Sequence, residues 1–197
     1  MAATRISTGD YRSRLLEGMA NAVAAKGYPF TTIADVVREA GVSRRTFYEL
    51  YPNKLDCFIA LYAAASHNAL KVLRGGITPG SDWPAQVDQA LVAYFTALAQ
   101  NPQLMRTLFV EILGLGDVGL AARRRTNQAL ADFMLEVVNS GRAGDPPLSA
   151  AMASAAVGGI NELLLKAIED GRIASLPALA PTAGKLVRAV ARAERSD

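Results

Sequence analysis

Thr31 to Lys54 reads TTIADVVREAGVSRRTFYELYPNK, and this stretch decides the fold. Ile33, Val36, Val37 and Ala40 recur at helical spacing. Thr32 stands just before them with Asp35 three places on, the form of an N-terminal capping box, so a helix begins near Thr32. Gly41 ends it, because glycine accepts the left-handed conformation that many helix C-termini need. Ser43 can then accept from the first free amides of a second helix that runs to Leu50. Val42, Phe47 and Leu50 face the first helix, which leaves Arg44, Arg45, Thr46 and Tyr48 on or near the outer surface. Two short helices around a Gly-Val-Ser joint, the second opening on paired arginines, are the signature of a helix-turn-helix.

Upstream, Leu15, Leu16, Met19, Ala22 and Val23 keep helical spacing from Tyr11 to Lys26, and Gly27 stops the run. Residues 1 to 10 are small and polar and read as a flexible arm carrying Arg5. Tyr28-Pro29-Phe30 connects the first helix to the second and offers Phe30 to a three-helix core. Downstream, Tyr51-Pro52 breaks the chain, and Asn53 caps a long fourth helix from Lys54 to Arg74, with Asp56 near its positive end. Tyr51, if buried, needs a partner for its hydroxyl.

Gly75 to Gly80 is the clearest loop. Four or five further helices follow: Asp82 or Trp83 to Ala99, Asn101-Pro102 to Leu113, Val118 to Ser140, Pro147 to Glu169, and Pro177 or Pro181 to Ala193. No alternating β-branched stretch competes with them, so the fold class is all-α. The segment from Ala121 to Asn139 is amphipathic and carries Arg123, Arg124 and Arg125, whose neighbours include acids; a solvated face is favoured there over a second nucleic-acid site. The segment from Ser149 to Ile168 is small or aliphatic on all sides and has to be buried on more than one face. The economical partner is a second copy of the same helix, with Ala153, Ala156, Val157 and Ile160 allowing close approach and Leu163, Leu164 and Ile168 continuing the seam. Leu186, Val187, Val190 and Ala191 of the last helix complete a four-helix interface between two chains; the rival is a monomeric bundle with this helix at its centre.

Half of the 197 residues are hydrophobic, enough for sizeable cores without disulfide or metal. The lone Cys57 forms no internal disulfide, which fits a reducing cytoplasm, and no secretory signal or uninterrupted membrane span is expected. The net charge of +3 is unevenly placed: eight Lys or Arg stand against five Asp or Glu through Lys54, and thirteen against thirteen beyond it. A basic end on a neutral body suits a head that binds a polyanion. No Gly-rich phosphate loop, paired histidines or nucleophile motif points to an enzyme, and no cofactor or metal is expected. Cys57 and His67, ten residues apart on one helix, stand about 15 Å apart along its axis, too far for proton transfer.

Thr31, Ile33, Val36, Ala40, Gly41, Val42, Ser43, Thr46, Phe47, Tyr48, Tyr51, Lys54 and Leu55 fall at or close to the pattern T-x-x-x-I-A-x-x-A-G-V-S-x-x-T-x-Y-x-x-F-x-x-K-x-x-L, so the chain resembles the TetR family of bacterial transcriptional regulators. Val37 and Tyr51 depart from it, where alanine and phenylalanine are usual. The resemblance implies a helix-turn-helix DNA-binding domain over residues 1–54 and a helical effector-binding and dimerisation domain over 55–197. It implies phosphate contacts by Thr31 or Thr32, Tyr48 and Lys54, to which the helix start at Ser43 adds free amides. Arg44 and Arg45 suit base reading, since a guanidinium grips guanine O6 and N7 with two bonds, and Thr46 can meet a thymine methyl or a phosphate.

The resemblance also implies an effector pocket among the middle helices. Tyr62, His67, Tyr94, Phe95, Met105, Phe109, Phe133 and Met134 are its candidates, with Arg106, Glu111, Asn127 and Gln128 as the nearest polar groups, although any one of the large side chains is more simply core and His67 more simply a solvated histidine. The partners expected are a double-stranded DNA operator, a second copy of the chain and a small-molecule effector, with no membrane. A repressor released by its effector is the favoured function; a helical protein-interaction module is the alternative.

Overall fold

The computed structural model describes residues 7–142 and 146–193; Arg5 lies outside them. The described residues form helices and turns with no strand. The α-helices are α1 (Thr8–Lys26), α2 (Ile33–Ala40), α3 (Arg44–Leu50), α4 (Lys54–Gly75), α5 (Trp83–Ala99), α6 (Pro102–Phe109), α7 (Gly116–Ser140), α8 (Ala150–Glu169) and α9 (Ala180–Ala193). Two 3-10 turns join them, Glu111–Leu115 before α7 and Ile173–Leu179 before α9. The segment expected to run from Pro102 to Leu113 as one helix is therefore α6 followed by a tighter turn.

The packing divides the chain into two compact units, one of residues up to Ala65 with Gln103–Ala122, the other of Ser66–Pro102 with the chain from Arg123 onward. In the first unit α1 lies on α2, and Leu15, Met19, Val36, Phe47, Cys57 and Phe58 form a core closed to solvent. Gly18 makes that approach possible, because a Cβ there would stand 2.7 Å from the carbonyl oxygen of Val36. Helix α1 starts earlier than its apolar pattern suggests: Ser7 and Asp10 form a capping box that draws the polar residues from Thr8 into the helix. Tyr51 is buried and its hydroxyl has no hydrogen-bond partner among the described residues. Phe30, expected in the core, is instead 74% exposed.

In the second unit α5 packs on α9 and on the 3-10 turn before it, and α8 packs on α9. Helix α8 has a mean hydropathy of 1.3 and is long and apolar enough to cross a membrane by length and composition. Here Ala153, Ala156, Val157, Ile160, Leu164 and Ile168 are all buried within the unit itself.

Candidate nucleic-acid interface and ligand cavity

The helix-turn-helix is built by local bonds that the sequence announces. Thr32 and Asp35 form a reciprocal capping box at the start of α2, with the Asp35 carboxylate accepting from the Thr32 amide at 2.9 Å. Gly41 ends α2 at φ 60°, the left-handed region where a Cβ would be strained. The Ser43 hydroxyl accepts from the Thr46 amide at 3.0 Å and caps α3.

Longer-range contacts then lock the motif. Arg14, from α1, donates through Nε to the carbonyl of Ala40 at 2.9 Å and through Nη2 to that of Gly41 at 2.6 Å, placing a cation on the negative end of α2. Lys26 meets the Asp35 carboxylate at 2.6 Å. The hydrogen bonds from Lys26 and Thr32 hold that carboxyl well below the usual carboxylate range. Burial pushes the Cys57 thiol up to about 12, so it stays protonated as core filler.

This frame presents α3 outward. Phe47 is fully buried and anchors the helix, while Arg44, Arg45 and Tyr48 are exposed. Arg44 makes no hydrogen bond or ion pair among the described residues. Arg45 pairs with Glu49 at 3.0 Å, but at 88% exposure such a pair contributes about 0–1 kcal/mol and yields readily to a better acceptor. Thr46 is half-buried with its hydroxyl 2.9 Å from that of Ser43.

The two threonines separate. Thr31 is buried, its hydroxyl directed at the carbonyls of Gly27 (2.8 Å) and Ala22 (3.2 Å), so it is structural, and Thr32 alone of the pair lies at the surface. Lys54 is also more than a surface cation. Its Nζ donates to the carbonyls of Tyr28 at 2.9 Å and Thr31 at 2.8 Å and lies 4.1 Å from the Tyr28 ring centroid; desolvation there lowers its pKa.

The second unit holds a cavity with about 550 Å³ of empty space, part of it open to solvent. Its walls come from Leu73 of α4, Val87, Ala90, Leu91 and Tyr94 of α5, Leu130, Phe133, Met134 and Val137 of α7, Val157, Ile160 and Asn161 of α8, and Val187 of α9. Of the eight expected pocket residues the cavity brings together Tyr94, Phe133 and Met134. Tyr62 and Met105 are core residues, Phe95 is buried away from the lining, Phe109 is half-buried on α6, and His67 is exposed. Among the expected polar groups, Glu111 accepts from the Tyr28 amide at 3.1 Å, Gln128 donates to Asp132, and Arg106 is exposed.

Asn161 was not among the candidates, yet it is the amide on the wall. Its Nδ2 donates to Oδ1 of Asn127 at 3.0 Å. A lone asparagine in the apolar run GGINELLLK is the signal that could have found it. Next in sequence to the lining residues Leu73 and Val137, Arg74 of α4 makes two hydrogen bonds of 2.8 and 2.7 Å to the Glu136 carboxylate of α7, with its guanidinium 5.0 Å from the Phe133 ring centroid.

Of the residues expected between two chains, Val157 and Ile160 line this cavity, and Ala153, Ala156, Leu164 and Ile168 are buried in the same unit. The reason is that α8 spends its most apolar faces on its own bundle. Leu163, Leu186 and Val190 keep partial exposure, and the outer side of α8 shows Ala151, Ala155, Gly158 and Glu162.

Residues 15–61 match the model of the bacterial regulatory proteins, tetR family. No curated sequence matches the chain. Solved structures with the same fold include the fatty acid degradation regulator FadR of Bacillus halodurans, with a TM-score of 0.79, 16% identity, and 89% of this chain and 96% of that one covered. FadR of Bacillus subtilis, solved in complex with stearoyl-CoA, gives a TM-score of 0.74 at 18% identity with the same coverage of 89% and 96%. A TetR-like transcriptional regulator of Rhodococcus sp. RHA1 gives 0.70 at 16% identity, covering 95% and 97%. The helix-turn-helix segment is thus similar to that of the bacterial regulatory proteins of the tetR family, and the fold is the one these solved transcriptional regulators share.

Proposed function

We propose that this protein is a homodimeric, ligand-responsive repressor that places two copies of α3 in successive major grooves of a near-palindromic DNA operator. The observation that carries the reading is the orientation of α3: Phe47 fastens it from within, and Arg44, Arg45 and Tyr48 are exposed on its outer side. Arg44 and Arg45 read guanine edges, each good bidentate contact being worth about 1–3 kcal/mol of discrimination. Tyr48, Thr32, Thr46 and the amides at the start of α3 hold phosphates, and Lys54 adds positive charge while it braces the turn before α2.

Residues 1–54 supply the DNA contacts and 55–197 the effector site and the pairing of subunits, in the cytoplasm. Two copies meet along the outer side of α8, where Ala151, Ala155 and Gly158 permit close approach, with Leu163, Leu186 and Val190 alongside. The effector occupies the cavity. Its walls are apolar apart from Tyr94 and Asn161, so the fitting class is a largely apolar molecule with a polar handle at one point. An acyl chain such as that of the stearoyl-CoA bound by the Bacillus subtilis protein belongs to this class.

Helix α4 carries Lys54 at one end and Leu73 at the other, so a ligand against Leu73 acts on an element shared with the DNA-binding end. Release requires the effector to bind the DNA-incompetent conformation more tightly than the competent one; equal affinity shifts nothing. The test is a fluorescence-anisotropy titration of duplex DNA flanking the gene, repeated at several salt concentrations and with stearoyl-CoA added. The reading expects tight binding that weakens steeply with salt and is reversed by the acyl ligand. Absence of binding to any flanking duplex would refute it.

A further inference from the structure

The turn before α2 holds an aromatic side chain that the fold does not use. Tyr28 to Thr31 closes with a hydrogen bond from the Thr31 amide to the Tyr28 carbonyl at 3.2 Å, with Pro29 at the second position, where its fixed φ suits a turn. Both ends point inward. The Tyr28 ring meets Phe58 edge-on at 4.9 Å between centroids, its amide donates to Glu111, and the Thr31 hydroxyl bonds inside the unit. Lys54 grips both carbonyls from below. Pro29 and Phe30 are the two exposed corners, and the Phe30 ring projects at 74% exposure.

Turn chemistry asks for Asp, Asn, Ser or Gly at such a corner, so a phenylalanine there costs solubility without serving the turn. Its backbone is already ordered, which leaves little entropy to lose on binding. Two large apolar or aromatic side chains stay exposed between Ser7 and Ala65, Phe30 and Tyr48. Tyr48 lies on α3, and Phe30 stands two residues before Thr32, where α2 begins, on the turn that Lys54 holds. A helix-turn-helix sets its first helix across the phosphate ridge and its second in the groove. Phe30 therefore sits at the rim of the surface assigned to DNA.

We infer that Phe30 is an apolar DNA contact, its ring packing on a deoxyribose at the edge of the groove entered by α3. The inference rests on the DNA-binding reading above. Sugar faces are the apolar part of the duplex exterior, and their contact carries affinity without counterion release, unlike an arginine or lysine on phosphate.

The experiment compares wild type, Phe30→Ala and Phe30→Leu on a duplex selected by the wild-type protein from a random library, across a series of salt concentrations. The expected result for Phe30→Ala is about a ten-fold loss of affinity, equal at every salt, with an unchanged slope of log affinity against log salt and an unchanged sequence preference. Phe30→Leu should lie between the two. Because the ring is exposed, the thermal midpoint of free Phe30→Ala should match wild type, which separates contact from folding. Affinity of Phe30→Ala within two-fold of wild type, or a loss that appears only as a changed salt slope, would overturn the inference. Failure of the wild type to select any duplex would instead overturn the DNA-binding reading beneath it.

Discussion

Replacing Gly18 by alanine sets two effects of opposite sign against each other. Gly18 lies within the helix α1, and by helix propensity alone Gly→Ala should stabilise by about 1 kcal/mol. The space says otherwise. The new Cβ would stand 2.7 Å from the Val36 carbonyl oxygen, 2.8 Å from the Ala40 amide nitrogen and 2.9 Å from the Ala40 Cβ. Two of these are backbone atoms of α2, so no side chain can swing away, and ordinary contact near 3.4 Å requires the helices to separate by about 0.7 Å. Overpacking of this kind costs about 1–3 kcal/mol.

With contacts this short to backbone, strain outweighs propensity, and Gly18→Ala should be net destabilising by up to about 2 kcal/mol. Urea unfolding followed by circular dichroism measures it, and DNA affinity should fall as well, since the shift moves α2 and the turn to α3. Gly9→Ala is the control, a glycine of the same helix whose added Cβ would meet only the Ser7 hydroxyl at 3.6 Å, an ordinary contact. If Gly18→Ala proved more stable than wild type, the close approach of α1 and α2 would be wrong.

Three further outcomes follow from particular contacts. Arg14→Ala removes two hydrogen bonds to the carbonyls ending α2 and should cost about 1–2 kcal/mol of stability, read by thermal unfolding, whereas an unchanged midpoint would mean water replaces the guanidinium freely. Asp35 has a folded-state pKa below its unfolded value, so it contributes stability that is full at neutral pH and is lost as pH falls through roughly 4 and below; Asp35→Asn should be less stable at pH 7 and show a shallower acid loss, and parallel curves would contradict the assigned partners. Gly158→Trp should leave the helical spectrum intact, because no atom of the described residues lies within 4 Å of a Cβ there, yet shift the sedimenting species from two chains to one; a persistent dimer would place the interface elsewhere.

Legibility in the sequence followed the range of the forces involved. The ends of α2 and the start of α3 were readable because their determinants lie within three or four residues: Thr32 with Asp35, Gly41, and Ser43 with Thr46. The start of α1 rests on the same device, Ser7 with Asp10, but polar composition masked it as an arm. Phe30 was misplaced because its direction is set by Lys54 and by Glu111, the latter 83 residues from the Tyr28 amide it accepts. For α8, composition announced burial on several faces but could not say whether its own bundle or a second chain covers each one. The cavity divided residues of identical type for the same reason: Tyr94 reaches it and Tyr62 does not, because helical spacing fixes a face and only the neighbouring helices decide what that face meets.

The claim on which all of this turns is that the exposed side of α3 reads base edges. Selection of bound duplexes from a random library by the wild-type protein and by Arg44→Ala tests it directly. The account predicts that the wild type enriches an inverted repeat and that the variant loses preference for guanine at one symmetry-related position in each half-site, with the remainder of the repeat kept. Enrichment of the same sequence by both proteins, or of none by the wild type, would contradict it.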